Sequence, residues 1–133
     1  MKPFHLEIVT PDGSVFDGMA ESLLVRTTSG DVEILASHAD YLATVATGRT
    51  RIIVDGEEKF ASSQGGFLSV SGGEVRLVST TFEFAEDIDV ARAEAAKERA
   101  ENAIEAAKSD RDVQLAKAKL ARAMNRINVA GMR

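Results

Sequence analysis

No cysteine occurs anywhere in the 133 residues, which excludes disulfides, zinc-finger sites and thiolate nucleophiles. No apolar run approaches the ~18 residues that would suggest a membrane span. No leader pattern precedes the first alternating segment. MKPFHLEIV passes straight into strand-like patterning, which predicts a protein that stays in the compartment where it is made. The catalytic signatures are missing too. His5 and His38 are far apart in sequence and belong to no H-E-x-x-H pair. Ser62-Ser63 and Ser69/Ser71 lack the G-x-S-x-G elbow that exposes a nucleophile. Gly65-Gly66 and Gly72-Gly73 are not followed by a helix and a lysine, so they read as turns rather than as a phosphate loop. The carboxylates Glu57-Glu58 fall in an expected hairpin loop and read as solvated. No catalytic residue and no metal ligand can be nominated.

What is present is two kinds of sequence meeting at Asp87–Ala93, DIDVARA. Apolar and polar residues alternate before it, with glycines between short runs. After it, alanines and charges recur at helical spacing. The expected division is residues 1–86 and residues 87–133, a compact domain with an appendage. Charge divides along the same line. Residues 1–86 hold six basic and 13 acidic side chains, whereas residues 87–133 hold ten and eight. Residues 111–133 carry Arg111, Lys117, Lys119, Arg122, Arg126 and Arg133 against Asp112 alone. An acidic body with a basic last helix fits either an acidic or phosphate-bearing partner or a plain solvated face.

The first part reads as many short strands. Phe4–Val9 alternates and stops at Pro11-Asp12-Gly13, a turn set by fixed proline φ and permissive glycine. Val15-Phe16 resumes the pattern and Gly18 offers a bend. Runs follow at Ser22–Thr28, Val32–Leu35, Tyr41–Val45 and Arg49–Val54. Asp55-Gly56 marks a two-residue hairpin into Lys59–Ala61. Phe67–Val70 and Glu74–Val78 come next, the latter extended by Ser79–Phe82. With no helix between them, these runs predict a sandwich or flattened barrel of about ten strands.

The second part predicts an antiparallel two-helix hairpin, giving an α+β fold overall. Asp89 is placed to cap the first helix, which runs from Val90 to Lys108 without glycine or proline. Ser109 or Asp110 caps the second, which reaches about Val129 and ends at Gly131. Ala93, Ala96, Ala100, Ala103 and Ala107 form one apolar face; Val113, Ala116, Leu120, Ala123 and Ile127 form the other. One register pairs Ala107 with Val113, Ala100 with Leu120 and Ala93 with Ile127. The seam is thin, because a buried methyl contributes only about 0.8 kcal/mol. Strong local propensity with weak packing suits an element that has two arrangements of similar free energy. The same register sets Arg126 opposite Glu94 and Arg122 opposite Glu98, near the first turns where Asp89 and Arg92 sit. That cluster reads either as an anion site or as interhelical salt bridges of little worth; charge alone favours the salt bridges.

The whole chain resembles the ε subunits of F-type ATP synthases. The likeness is carried by Leu6–Glu21 (LEIVTPDGSVFDGMAE), Gly30–Leu35 (GDVEIL), Gly65–Ser79 (GGFLSVSGGEVRLVS) and Ala85–Ala96 (AEDIDVARAEAA). It implies a β-sandwich that docks on the γ subunit and the c-ring, followed by a regulatory helical hairpin. The implied role is a non-catalytic rotor subunit in the central stalk of a proton- or sodium-translocating synthase. Such a subunit is peripheral, on the cytoplasmic face of the bacterial membrane. Its helices open and reach up between the α and β subunits, inhibiting ATP hydrolysis, and a basic helix meets an acidic segment of β. Lys117, Lys119, Arg122 and Arg126 are the matching residues here. Some bacterial relatives bind ATP through I/L-D-x-x-R-A, which keeps the hairpin closed. Ile88, Asp89, Arg92 and Ala93 match that motif, and Arg122 and Arg126 match its second-helix arginines. The likeness thus implies no required cofactor, with ATP as a regulatory ligand. Ala36–Asp40 departs from the prolines and glycine many relatives carry around this histidine, so no site is carried to His38.

Two rivals belong to other classes. A stand-alone nucleotide-binding regulator or small enzyme built on Asp89, Arg92, Arg122 and Arg126 lacks a metal cluster, a positioned base and a nucleophile. A nucleic-acid binder lacks aromatics interleaved in the basic helix, and its acidic body repels a polyanion.

Overall fold

The computed structural model describes residues 2–133. Contacts divide the chain into two units, the first ending at Phe84 and the second spanning Ala85–Arg133.

Among the described residues the first unit has ten strands: β1 (Phe4–Thr10), β2 (Gly13–Ala20), β3 (Ser22–Thr27), β4 (Gly30–Ile34) and β5 (Tyr41–Thr44), then β6 (Gly48–Val54), β7 (Glu57–Gln64), β8 (Phe67–Ser71), β9 (Glu74–Val78) and β10 (Thr81–Phe84). They form two five-stranded sheets, ordered β2-β1-β9-β8-β5 and β10-β7-β6-β3-β4. All pairs are antiparallel except β1 with β9, which run parallel. Period-two patterning decides which side chains face inward. Phe4, Leu6 and Ile8 are buried on β1, and Leu68, Val70, Val75 and Leu77 lie buried beside them on β8 and β9. Leu23, Val25, Ile34 and Ile52 close the core from the second sheet. Fully burying each such side chain contributes about 1.5–3 kcal/mol.

Three details differ from the sequence reading. Gly18 is no bend. β2 runs through it, and the Phe16 ring covers the place of its missing side chain, 3.4 Å from where a Cβ would sit. The irregularity lies instead at Val15 of β2, which is left without a partner where the register shifts between Ile8 and Val9. Ser79–Phe82 does not prolong β9. The Ser79 amide still donates to Val9 O at 2.9 Å, at the edge of the first sheet. Its buried hydroxyl, however, donates to Thr81 O at 2.6 Å and accepts from Gln64 N at 3.3 Å. Ser79 is thus the crossing point, and β10 pairs with β7 in the second sheet. Asp55-Gly56 is the two-residue turn expected, with φ of 52° and 77°, and it joins Val54 to Glu57.

In the second unit a 3-10 turn, Ala85–Asp87, leads to α1 (Val90–Ala106) and α2 (Asp110–Ala130). Asp89 caps α1, its carboxylate accepting from Arg92 N at 3.0 Å, and the Ser109 hydroxyl caps α2, accepting from Asp112 N at 3.1 Å. Each cap is worth about 1 kcal/mol. Gly131 ends α2 with φ −69°, so its capacity for positive φ goes unused. The helices pack on each other with Ala93, Ala100, Ala116 and Ala123 buried. Ala103 is exposed, and Ile104 takes the half-buried position expected of it. At the chain's end Arg133 donates from Nη2 to Ile88 O at 2.9 Å and from Nε to Ala130 O at 3.1 Å. Among the described residues no helix is long and apolar enough to cross a membrane.

Candidate functional site

The alanine seam leaves a groove. Ala96, Ala100 and Ala103 of α1 and Ala123 of α2 line its floor. Arg99, Lys119, Arg122 and Arg126 stand around it, enclosing about 480 Å³. Small floor residues with long cationic neighbours produce this shape directly. A methyl cannot fill the space between the helices, and the Arg and Lys stems rise along its walls. The volume lies within the ~300–1,000 Å³ usual for small-molecule sites. Spacings of three and four residues put Lys119, Arg122 and Arg126 on one face of α2.

The chemistry of the lining is one-sided. It has four cationic side chains, three of them planar guanidinium groups, and no carboxylate. Guanidinium donors fit phosphate or carboxylate oxygens bidentately, and an anion there would neutralise charge that like neighbours otherwise repel. Glu94 and Glu98, which the register sets opposite Arg126 and Arg122, are not among the residues that line the groove. No group of three or more potential metal ligands occurs among the described residues either.

The structure sorts the residues nominated from sequence into two sets. Arg122 and Arg126 come together, joined by Lys119 and by Arg99, which the sequence reading did not single out. Ile88, Asp89, Arg92 and Ala93 do not line the groove. Ile88 and Ala93 are buried, at 4% and 2% exposure. One oxygen of Asp89 is committed to the helix cap. Arg92 is exposed on the first turn of α1, and Lys117 is exposed on α2 outside the groove. Arg99 could have been found from its phase: it follows Ala96 by three and adjoins Ala100, beside the floor.

The sandwich unit has a different surface. Tyr41, Leu42, Ala43 and Thr44 of the edge strand β5, with Phe67, Thr28 and Ser29, line an open hollow of about 800 Å³. Leu42 is 72% exposed and Phe67 42% exposed there. The loop before β5 holds His38, whose Nδ1 meets Ala39 O at 2.7 Å, and its ring stacks edge-on against Tyr41.

Comparison with known proteins matches both units. Residues 3–85 fit the family described as ATP synthase, Delta/Epsilon chain, beta-sandwich domain. Residues 86–131 fit ATP synthase, Delta/Epsilon chain, long alpha-helix domain. The chain is 42% identical over 131 residues to the ATP synthase epsilon chain of Bacillus velezensis, covering 98% of this chain and 99% of that one. It is 40% identical over 131 residues to the ATP synthase epsilon chain of Ruminococcus albus, with 98% of each covered. Its fold is similar to a chain in the cryo-EM structure of the Euglena gracilis mitochondrial ATP synthase, OSCP/F1/c-ring (TM-score 0.83, 19% identity, 98% of this chain and 82% of that one).

Proposed function

The chain belongs to the ATP synthase delta/epsilon family, with its nearly full-length relatives named epsilon chains, and on that premise we propose that it is a non-catalytic regulatory subunit of the synthase's central stalk. The sandwich docks on γ and the c-ring, with the apolar hollow beside β5 as the γ-facing surface. The hairpin restrains ATP hydrolysis when its helices extend toward α and β, where Lys117, Lys119, Arg122 and Arg126 meet acidic side chains. ATP holds the hairpin closed by seating its phosphates among Arg99, Lys119, Arg122 and Arg126. Placement is peripheral, on the cytoplasmic face of a bacterial membrane, and coupling is to protons or sodium ions.

The observation that carries the regulatory part is one coincidence. The interface between the two helices is built largely of alanines, and the groove it leaves is lined by four cationic side chains and no carboxylate. A polyanion bridging α1 and α2 there ties shut what the alanines hold loosely, by mass action. Asp89 and Arg92 lie outside the groove, where Asp89 holds the start of α1 by capping it. A stand-alone nucleotide sensor would need the same groove, but the nearly full-length match to epsilon chains favours the stalk subunit.

Two measurements test the reading. Titration calorimetry of the full chain with ATP is expected to give binding that Arg99→Ala weakens by about tenfold or more, the worth of one charge-assisted contact. Absence of heat up to millimolar ATP removes the nucleotide. In a reconstituted synthase, deleting residues 88–133 is expected to leave assembly intact and raise ATP hydrolysis. Unchanged hydrolysis removes the inhibitory arm.

A further inference from the structure

The outer face of the sheet β2-β1-β9-β8-β5 carries a charge cluster. His5 on β1 stands between β2, an edge strand whose sole neighbour in the sheet is β1, and β9, the parallel neighbour. Its Nε2 lies 2.6 Å from Asp17 Oδ1 on β2, and its Nδ1 lies 2.5 Å from Glu74 Oε2 on β9. A neutral imidazole has one N–H and one lone pair. It can donate to one of these carboxylates, and it then turns a lone pair on the other at contact distance. Only the imidazolium donates to both.

β2 is held by its ladder to β1 and by Phe16, which packs against the core, and it adds few other buried side chains. Of its eight residues only Ala20 is buried, and Asp17 is its sole charged side chain. Its ladder to β1 is interrupted at Val15, where the register shifts between Ile8 and Val9. We propose that His5 is a proton-dependent fastener: protonated, it ties β2 and β9 to β1 through Asp17 and Glu74, and on losing its proton it lets the edge strand β2 loosen.

The other charged groups on that face do not substitute for it. β1 adds Glu7 and β9 adds Arg76, and Arg76 Nε is engaged by Glu7 Oε1 at 3.0 Å. Met19, the residue of β2 opposite His5, carries no charge. The hydrogen bond to Asp17, then that to Glu74, holds the imidazole pKa above its usual 6.5. A raised folded-state pKa means the stabilisation is complete below the unfolded value and is lost as pH rises through the folded one. The fastener is therefore closed in mildly acidic surroundings and opens as they turn alkaline. Its loss exposes the amides of an edge strand, the part of a sheet most open to pairing with another chain.

The test is hydrogen exchange on the full chain between about pH 6 and 9, corrected for intrinsic rates, beside an NMR titration of the imidazole. The His5 signals, identified by their loss in His5→Gln, should titrate above 6.5. Protection of the β2 amides should fall about two- to fivefold through that titration, the scale of an exposed ion pair. Asp17→Asn should remove the pH step from β2, while the amides pairing β3 with β6 stay constant in every variant. A His5 pKa at or below 6.5 overturns the proposal. So does β2 protection in His5→Gln that keeps the pH dependence of the unsubstituted chain.

Discussion

The sandwich and the hairpin are held together by opposite means. Between its sheets the sandwich buries Leu, Ile, Val and Phe side chains, and on its surfaces it pairs charges where they stand: Arg26 with Asp31 at 2.6 Å, Arg76 with Glu7, His5 with Asp17 and Glu74. The hairpin buries alanines and gathers like charges around the space they leave. A unit with a full core, whose arginines are each paired with a carboxylate, has little to gain from an anion. A unit with a thin core and one-signed groove has much to gain. The difference is one of side-chain volume: large apolar residues fill the core of the first unit, and methyl groups fill most of the seam of the second.

Three substitutions press on that contrast, in falling order of expected effect. Leu68→Ala in the sandwich core should cost about 2–5 kcal/mol, the range for a buried leucine, read from urea unfolding followed on sandwich NMR signals. Ala100→Gly in the seam should cost about 1–2 kcal/mol, combining a lost methyl with glycine's helix penalty. It should appear as lost helical ellipticity while the sandwich signals stay in place. Were Ala100→Gly to cost as much as Leu68→Ala, the hairpin would not be the weaker unit. Asp89→Ala, which removes only the cap on Arg92 N, should cost about 1 kcal/mol. Faster exchange confined to the first turn of α1 is its expected signature, and faster exchange along all of α2 would show that the helices do not move separately.

The strands and helices were largely legible in the sequence because their patterns are local. Period-two burial at Phe4, Leu6 and Ile8, the Asp55-Gly56 turn, and the caps at Asp89 and Ser109 all follow from neighbours in the chain. What stayed hidden depended on distant partners. Ser79 looks like one more strand residue until its hydroxyl is seen bonding Gln64 and Thr81 in the other sheet. Gly18 looks like a bend until the Phe16 ring covers it. In the groove, pairing residues by register placed Arg122 and Arg126 against Glu94 and Glu98. Register fixes height along a helix but not the turn of a side chain about its axis. It did not show that Arg99 lines the same groove as both arginines. His5 was weighed only as a metal ligand, since nothing local announces carboxylates 12 and 69 residues away.

The parallel pairing of β1 with β9 sets an order of events during synthesis. Leu6 pairs with Val75 and Val9 with Val78, so the strand made first must wait for one made near the end of its unit. Until then Leu6 and Ile8 lack half the sheet that buries them, and closing so distant a contact is slow compared with forming a helix. The hairpin's contacts are nearer in sequence, and its residues leave the ribosome after those of the sandwich. A nascent chain therefore holds an unfinished, apolar first sheet until residue 78 has emerged, which makes that interval the one most exposed to misassociation.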